Sequence, residues 1–345
     1  MVIAYVALFI LLLIDVRPKF LGANYNPEYL SYDTSLVIKG LFVVLVFFRH
    51  FRGYITLSDS VFDHLFVLLD SRSSQLIVTM FLFYSGFGIY ERVKISDSYI
   101  KTFFRHRFFP TWLSFAICLC MFIVENYLLH KQYDFSTVLL SFTGWEDIGN
   151  SNWFMFITFA LYLLFVLSFI LPLKNKQMNL VVFSACSILL FFLLMKSRPH
   201  YWYNTLLCFS LGMIYSHNLE KINFALQKNA VYWASLLIVF ALFSVSFLLI
   251  PTISPYFFIK ALLFCLLVVL LCFKISLRKG PVFSFLGKRV FSVYILQRLV
   301  FNCLERTPLV QNKYAFFVIT LFITLLIAFL YDTVFNQSKK ILVKA

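Results

Sequence analysis

Ser35-Leu36-Val37-Ile38-Lys39-Gly40-Leu41-Phe42-Val43-Val44-Leu45-Val46-Phe47-Phe48-Arg49-His50-Phe51-Arg52 is an apolar run with a lysine inside it and an Arg-His pair near its end. Its length suits the hydrocarbon core of a bilayer, which about 20 apolar residues cross as a helix. Apolar and polar residues do not alternate here, as they would in a barrel strand. Backbone groups in lipid must find their hydrogen-bond partners internally, so such a run reads as a helix. Similar runs recur along the chain. They predict about eleven spans, at roughly 1–14, 35–52, 75–91, 111–129, 152–171, 179–195, 201–217, 230–250, 256–274, 286–303 and 315–335. The fold expected is an all-α, polytopic integral membrane protein.

Composition agrees. Of 345 residues, 61% are hydrophobic and 13% charged, and 45 are Phe. Soluble domains are about 45–50% apolar and 25% charged. The difference excludes a soluble globular enzyme, a disordered chain and a small disulfide-stapled domain. The seven cysteines form no CxxC and no Cys/His cluster. They read as small buried hydrophobes, and no metal site is expected. A net charge of +15 in a soluble chain would raise nucleic acid as a partner. In a membrane chain it marks cytoplasmic loops. Taking alternate loops, the basic residues concentrate around Arg17–Lys19, Arg92–Arg107, Lys174–Lys176, Lys221–Lys228, Lys274–Arg289 and Lys339–Lys344. This places the N-terminus outside and the C-terminus in the cytoplasm. The segment 58–72, with Asp59, Asp63 and Asp70, is then an outer loop. Span 1–14 has no basic n-region and no small-x-small site after Asp15, so it reads as an uncleaved anchor.

Ionisable groups within spans are costly and usually face a protein or water-filled cavity. Lys39 and His50 are eleven residues apart. Eleven residues turn about 1,100°, about 20° from a whole number of turns, so both share one helix face about 16 Å apart. Two readings stand. Lys39 snorkels to headgroups and His50 lies at the outer interface, or both line a functional cavity. Arg49 next to His50 disfavours a protonated imidazole, and a neutral imidazole is what a general base requires. Arg105-His106-Arg107 is either topological charge or a phosphate platform, since guanidinium forks suit phosphate. Gln297 and Arg298 lie within an apolar run and need partners there. The segment Gly144-Trp145-Glu146-Asp147-Ile148-Gly149-Asn150-Ser151-Asn152-Trp153 has the composition of an interfacial belt or of a sugar-contacting surface.

Four phrases, in order over roughly residues 35–335, resemble the acyltransferase-3 family of integral membrane acyltransferases. Ile38-Lys39-Gly40-Leu41 leading to His50 is similar to that family's Leu-Arg-Gly opening with a histidine eleven residues after the arginine. Phe81 to Phe87 is similar to its Phe-Phe-x-x-Ser-Gly-Phe phrase. Arg105-His106-Arg107-Phe108-Phe109-Pro110 resembles its basic loop entering a proline-containing helix start. Phe285 to Ile295 resembles Phe-Leu-Gly-Lys-x-Ser-Tyr-Ser-x-Tyr-Leu. Lys39 stands where arginine is usual, and Gln297 where many members have histidine. The helix starting at Asn152 lacks the glutamate pair many members carry. Asn152-Trp153-Phe154 followed by Tyr162 looks like the subset among capsule and lipopolysaccharide O-acetyltransferases.

The resemblance implies a ten-helix core within 35–345, with residues 1–34 as an extra N-terminal helix and cytoplasmic loop. It implies a multi-pass protein of the bacterial cytoplasmic membrane that transfers an acyl group, most often acetyl, from cytoplasmic acetyl-CoA. The acceptor would be a hydroxyl of a polysaccharide or lipid-linked oligosaccharide. His50 would be general base or acyl carrier, with Lys39 on the same face. Arg105, Arg107 and Lys39 would hold the donor phosphates, and Trp153, Asn152, Arg49 and Gln297 the acceptor. No metal is required. A transporter or flippase, or a polymerase, of lipid-linked polysaccharide units is the alternative. A transporter should show internal repeats, and the sequence has none.

Overall fold

A computed structural model describes residues 1–14, 16–18, 25–277 and 280–344. The basic loop residues Lys19, Arg278 and Lys279 lie outside the described residues. The described chain is helical apart from two short strands, Val16–Pro18 and Ile275–Leu277, which pair antiparallel. Each predicted span coincides with a helix, and eight are long and apolar enough to cross a membrane. Val2–Ile14, Leu207–His217 and Val290–Leu304, of 13, 11 and 15 residues, are too short to cross alone. The helix expected from residue 201 starts only at Leu207, because His200–Trp202 forms a 3-10 turn.

Residues 61–73, read from the sequence as part of a loop, form a helix. Its polarity is inverted. Asp63, Phe66 and Asp70 are buried, while Phe62, Leu65 and Leu69 are exposed. Phe62, Leu65 and Leu69 follow helical spacing, but the acids between them hide the pattern from a hydropathy reading.

Contacts divide the chain into two compact units that interleave along the sequence. The first comprises Met1–Phe42, Val61–Asp97 and Leu167–Lys288. It is organised by two reciprocal glycine crossings. A Cβ on Gly86 would collide with the carbonyl of Phe209, and one on Gly212 with the carbonyl of Phe83. The helices Leu76–Ile95 and Leu207–His217 therefore cross backbone to backbone. Gly40 lies likewise against the Phe283 carbonyl, and Gly287 against that of Leu36. Small residues permit such approach where lipid supplies no hydrophobic drive between helices. Gly88, in the same phrase as Gly86, has open space instead. Asn26 ties the N-terminal segment down, donating from Nδ2 to the carbonyls of Cys272 (3.3 Å) and Ile275 (3.1 Å).

The second unit comprises Val43–Ser60, Ser98–Val166 and Arg289–Ala345. Its core is aromatic. Phe47 packs on Phe301 at 4.8 Å between centroids, Phe48 stacks on Phe317 at 4.6 Å, and Phe51 meets Phe317 edge-on at 5.1 Å. Phe115 and Phe108 both pack against Phe159. Arg289 pairs with Asp332 at 3.7 Å, and Ser114 and Tyr331 share a 2.8 Å hydrogen bond. This unit carries most of the sequence-predicted site residues.

Candidate active site

His50 is the penultimate residue of the helix Tyr32–Phe51, just before the 3-10 turn Arg52–Tyr54. The bulky Phe47, Phe48 and Phe51 anchor that helix end in the aromatic core. His50 itself is half-buried. Its Nδ1 is shielded from solvent and has no hydrogen-bond partner among the described residues. Its ring faces Tyr294 at 6.0 Å between centroids. Arg298 and the exposed Arg49 lie within electrostatic reach of the imidazole.

Tyr294 and Arg298 are four residues apart on the helix Val290–Leu304, one turn from each other on the same face. Both reach the same loop. Tyr294 donates its hydroxyl to the Ser151 carbonyl at 3.0 Å, and Arg298 donates from Nη1 to the Gly149 carbonyl at 3.3 Å. The Nε of Arg298 is buried and without a partner among the described residues. On the same helix Asn302 accepts from the Tyr54 hydroxyl (2.8 Å) and donates to Glu125 Oε2 (3.1 Å), to which Cys303 also turns its thiol at Oε1 (3.4 Å).

The loop between residues 144 and 152 is shaped by its own residues. Gly144 and Gly149 adopt φ of +80° and +107°, a region costly for other residues. A Cβ on Gly144 would also crowd the Phe156 nitrogen at 2.7 Å. Asp147 Oδ1 accepts from the backbone N–H groups of Gly149 (2.6 Å) and Asn150 (2.9 Å). Asn126 donates to the Ile148 carbonyl at 2.8 Å. The Phe154 ring lies 5.5 Å from that of Tyr294 and adds an aromatic wall.

The predicted residues are distributed unevenly around this centre. Asn152 is buried, and its Nδ2 donates to the carbonyls of Ser141 (3.3 Å) and Glu146 (2.6 Å), so it holds the loop in shape. Trp153 opens the helix Trp153–Ile170, with its ring against Phe154 at 5.6 Å. Gln297 is fully buried, donates to its own helix at the Tyr294 carbonyl, and keeps Oε1 without a partner among the described residues. Lys39 belongs to the first unit, on the same continuous helix as His50, with Nζ 5.8 Å from the Tyr32 ring centre. Arg105 and Arg107 lie on a π-helical turn, Phe104–Phe108, and both are exposed. Such turns often occur at functional sites. Arg107 Nε donates to the Tyr162 hydroxyl at 3.2 Å. Among the described residues no group of three or more His, Cys, Asp or Glu side chains is placed to hold a metal.

Sequence reasoning passed over Glu125, Tyr54 and Asn302, placed Asn150 only within the polar segment 144–153, and gave Arg298 no role. The signal for Glu125 was present, since it is an acid within an apolar run. Tyr54 and Asn302 carry no comparable signal, because only folding brings them together.

A family model described as an acyltransferase domain, that of the acyltransferase-3 family, matches residues 35–333. No curated protein and no solved structure matches the chain.

Proposed function

The chain belongs to the acyltransferase-3 family and is a multi-pass membrane acyltransferase, and from that premise we propose that it is an O-acetyltransferase acting on a glycan hydroxyl. The observation that carries this reading is His50: half-buried, with an Nδ1 unpartnered among the described residues, its ring 6.0 Å from that of Tyr294. A general base needs a free nitrogen within reach of its substrate, in a site that limits water.

The chemistry proceeds as an acyl transfer. His50 takes the proton of the acceptor hydroxyl as its oxygen attacks the thioester carbonyl of acetyl-CoA. A C–O bond forms, negative charge develops on the carbonyl oxygen, and the C–S bond breaks. The departing thiolate takes the proton from His50. Arg298 suits the developing oxyanion, because its Nη1 is fixed on Gly149 and its Nε remains available. A variant of the scheme, in which His50 carries the acyl group between the two half-reactions, uses the same atoms.

The donor is anionic and enters from the cytoplasm in this reading. Arg105, exposed on the π-helical turn, and Arg107 beside it bind its phosphates. Lys39, eleven residues before His50 on one helix, supplies a further cation. The acceptor is a cell-envelope polysaccharide or its lipid-linked precursor in the bacterial cytoplasmic membrane, with the protein's N-terminus outside and C-terminus inside. Arg49, Gln297 and Trp153 border the acceptor, and Asn152 shapes the loop it meets.

The test is labelled acetyl transfer to envelope glycan in membranes with matched expression. His50→Ala lowers transfer by about 10²–10⁴-fold, while the protein inserts and binds acetyl-CoA as before. Near-normal transfer by His50→Ala would remove this catalytic centre.

A further inference from the structure

Buried polar atoms in folded proteins almost always have a hydrogen-bond partner, and each exception calls for an explanation. In the second unit such exceptions include Thr324 Oγ1, Asn126 Oδ1 and Asn152 Oδ1, and among them one residue of the 144–152 loop has both ends of its amide open. Asn150 is 1% exposed, yet neither its Nδ2 nor its Oδ1 has a partner among the described residues. Its two chain neighbours are the residues held by the site. The Gly149 carbonyl is bound by Arg298 and the Ser151 carbonyl by Tyr294. Arg298 Nε, Gln297 Oε1 and His50 Nδ1 are unpartnered as well. Ser151, at φ +58°, holds a conformation rare for a non-glycine residue, and its carbonyl is the one Tyr294 binds.

An asparagine amide that is buried and open at both ends is one donor and one acceptor side by side. Leaving both unmet costs free energy, and the carbonyls on either side of Asn150 are held by Arg298 and Tyr294. The ligand that satisfies them offers an acceptor and a donor on adjacent atoms. Two neighbouring hydroxyl groups on a sugar ring do so. We propose that Asn150 is a specificity-determining residue for the acceptor and grips a vicinal diol. Nδ2 donates to one hydroxyl, and Oδ1 accepts from its neighbour. The inference rests on the glycan O-acetyltransferase reading and adds to it the class of acceptor: a sugar that carries two free hydroxyls on neighbouring carbons.

This assignment separates binding from folding. The Asn150 side chain makes no hydrogen bond to the described protein, so removing it sacrifices none. Wild type, Asn150→Ala and Asn150→Leu are compared in three measurements. These are melting temperature in detergent, release of CoA from acetyl-CoA without acceptor, and labelled acetyl transfer to the envelope glycan of native membranes over a range of glycan concentration. Asn150→Ala is expected to keep or raise the melting temperature and to leave acceptor-independent CoA release unchanged. It is expected to lower transfer about 100-fold at limiting glycan, through KM for the acceptor. Asn150→Leu, of similar size and without donor or acceptor, is expected to lower transfer as far as Asn150→Ala. Undiminished transfer by Asn150→Ala, or a loss of transfer that follows a drop in melting temperature, overturns the role of Asn150. A wild-type protein that releases CoA yet acetylates no glycan overturns the underlying reading instead, whatever the variants do.

Discussion

Two polar networks in this protein have opposite characters. One lies in the first unit, where the helices Leu76–Ile95 and Leu207–His217 end. There Tyr90 shares a 2.8 Å hydrogen bond with His217 Nδ1, and Ser216 donates to Glu91 at 2.7 Å. Lys94 pairs with Glu91 at 2.5 Å and donates to the Ser216 carbonyl at 3.1 Å. Lys176 donates to the Val93 carbonyl at 2.7 Å and pairs with Asp97 at 2.7 Å. The other network, around His50 and the 144–152 loop in the second unit, has comparable residue types but leaves Nδ1 of His50, Nε of Arg298, Oε1 of Gln297 and the whole Asn150 amide unmatched. A network whose groups are satisfied by one another fixes helix ends. A network whose groups are held in place and left open is organised for something that is not protein. Histidine and glutamate in a span are therefore not functional by type alone. His217 is hydrogen-bonded into the first network, whereas His50 offers a free nitrogen to the second.

The contrast breaks most sharply at Arg298. Arg298→Gln should lower acetyl transfer about 10²–10³-fold, chiefly in kcat, as expected for loss of an oxyanion donor. Its melting temperature should stay close to wild type, because only the 3.3 Å bond to Gly149 is lost. Steady-state kinetics with acetyl-CoA and native membranes, alongside thermal denaturation, measures both. An equal fall in stability would make Arg298 a loop strut like Asn152.

Ser216→Ala probes the paired network. Removing a hydrogen bond to a charged group costs about 1.5–3 kcal/mol, so the variant should melt lower. Transfer per folded molecule should be unchanged. A selective loss of turnover without a stability change would erase the distinction between the two networks.

The smallest effect belongs to the pair at Asp97. Lys176 holds the Asp97 carboxyl below the usual carboxylate range by hydrogen bonding and charge. A lowered carboxyl contributes stability above its ordinary value near pH 4 and loses that contribution as pH falls through the shifted value. Asp97 is exposed, so solvent screens the pair. Asp97→Asn should flatten the acid limb of the melting-temperature profile slightly and leave transfer at neutral pH unaltered. A drop in melting temperature at pH 7 as large as that of Ser216→Ala would show that exposure does not weaken this pair.

Hydropathy alone determined that the chain is helical and membrane-embedded, and where its long apolar helices lie, because lipid leaves the backbone only helices or a closed barrel, and unbroken apolar runs exclude the barrel. The spacing of Lys39 and His50 placed both on one helix face, since helical period depends on sequence distance only. The inverted helix Val61–Ser73 escaped that reading, because its acids are buried by neighbours that hydropathy does not see. Tertiary structure decided the rest. Gly86 and Gly88 are alike in sequence, yet only Gly86 meets a neighbouring backbone. Asn150 and Asn152 differ by two positions in one polar segment, yet the Asn152 amide nitrogen is bound to two carbonyls and that of Asn150 to none among the described residues, while Oδ1 is unpartnered in both. Whether a polar side chain is satisfied depends on which atoms other parts of the chain bring within about 3 Å of it. That is a property of the packed molecule, and no local pattern encodes it.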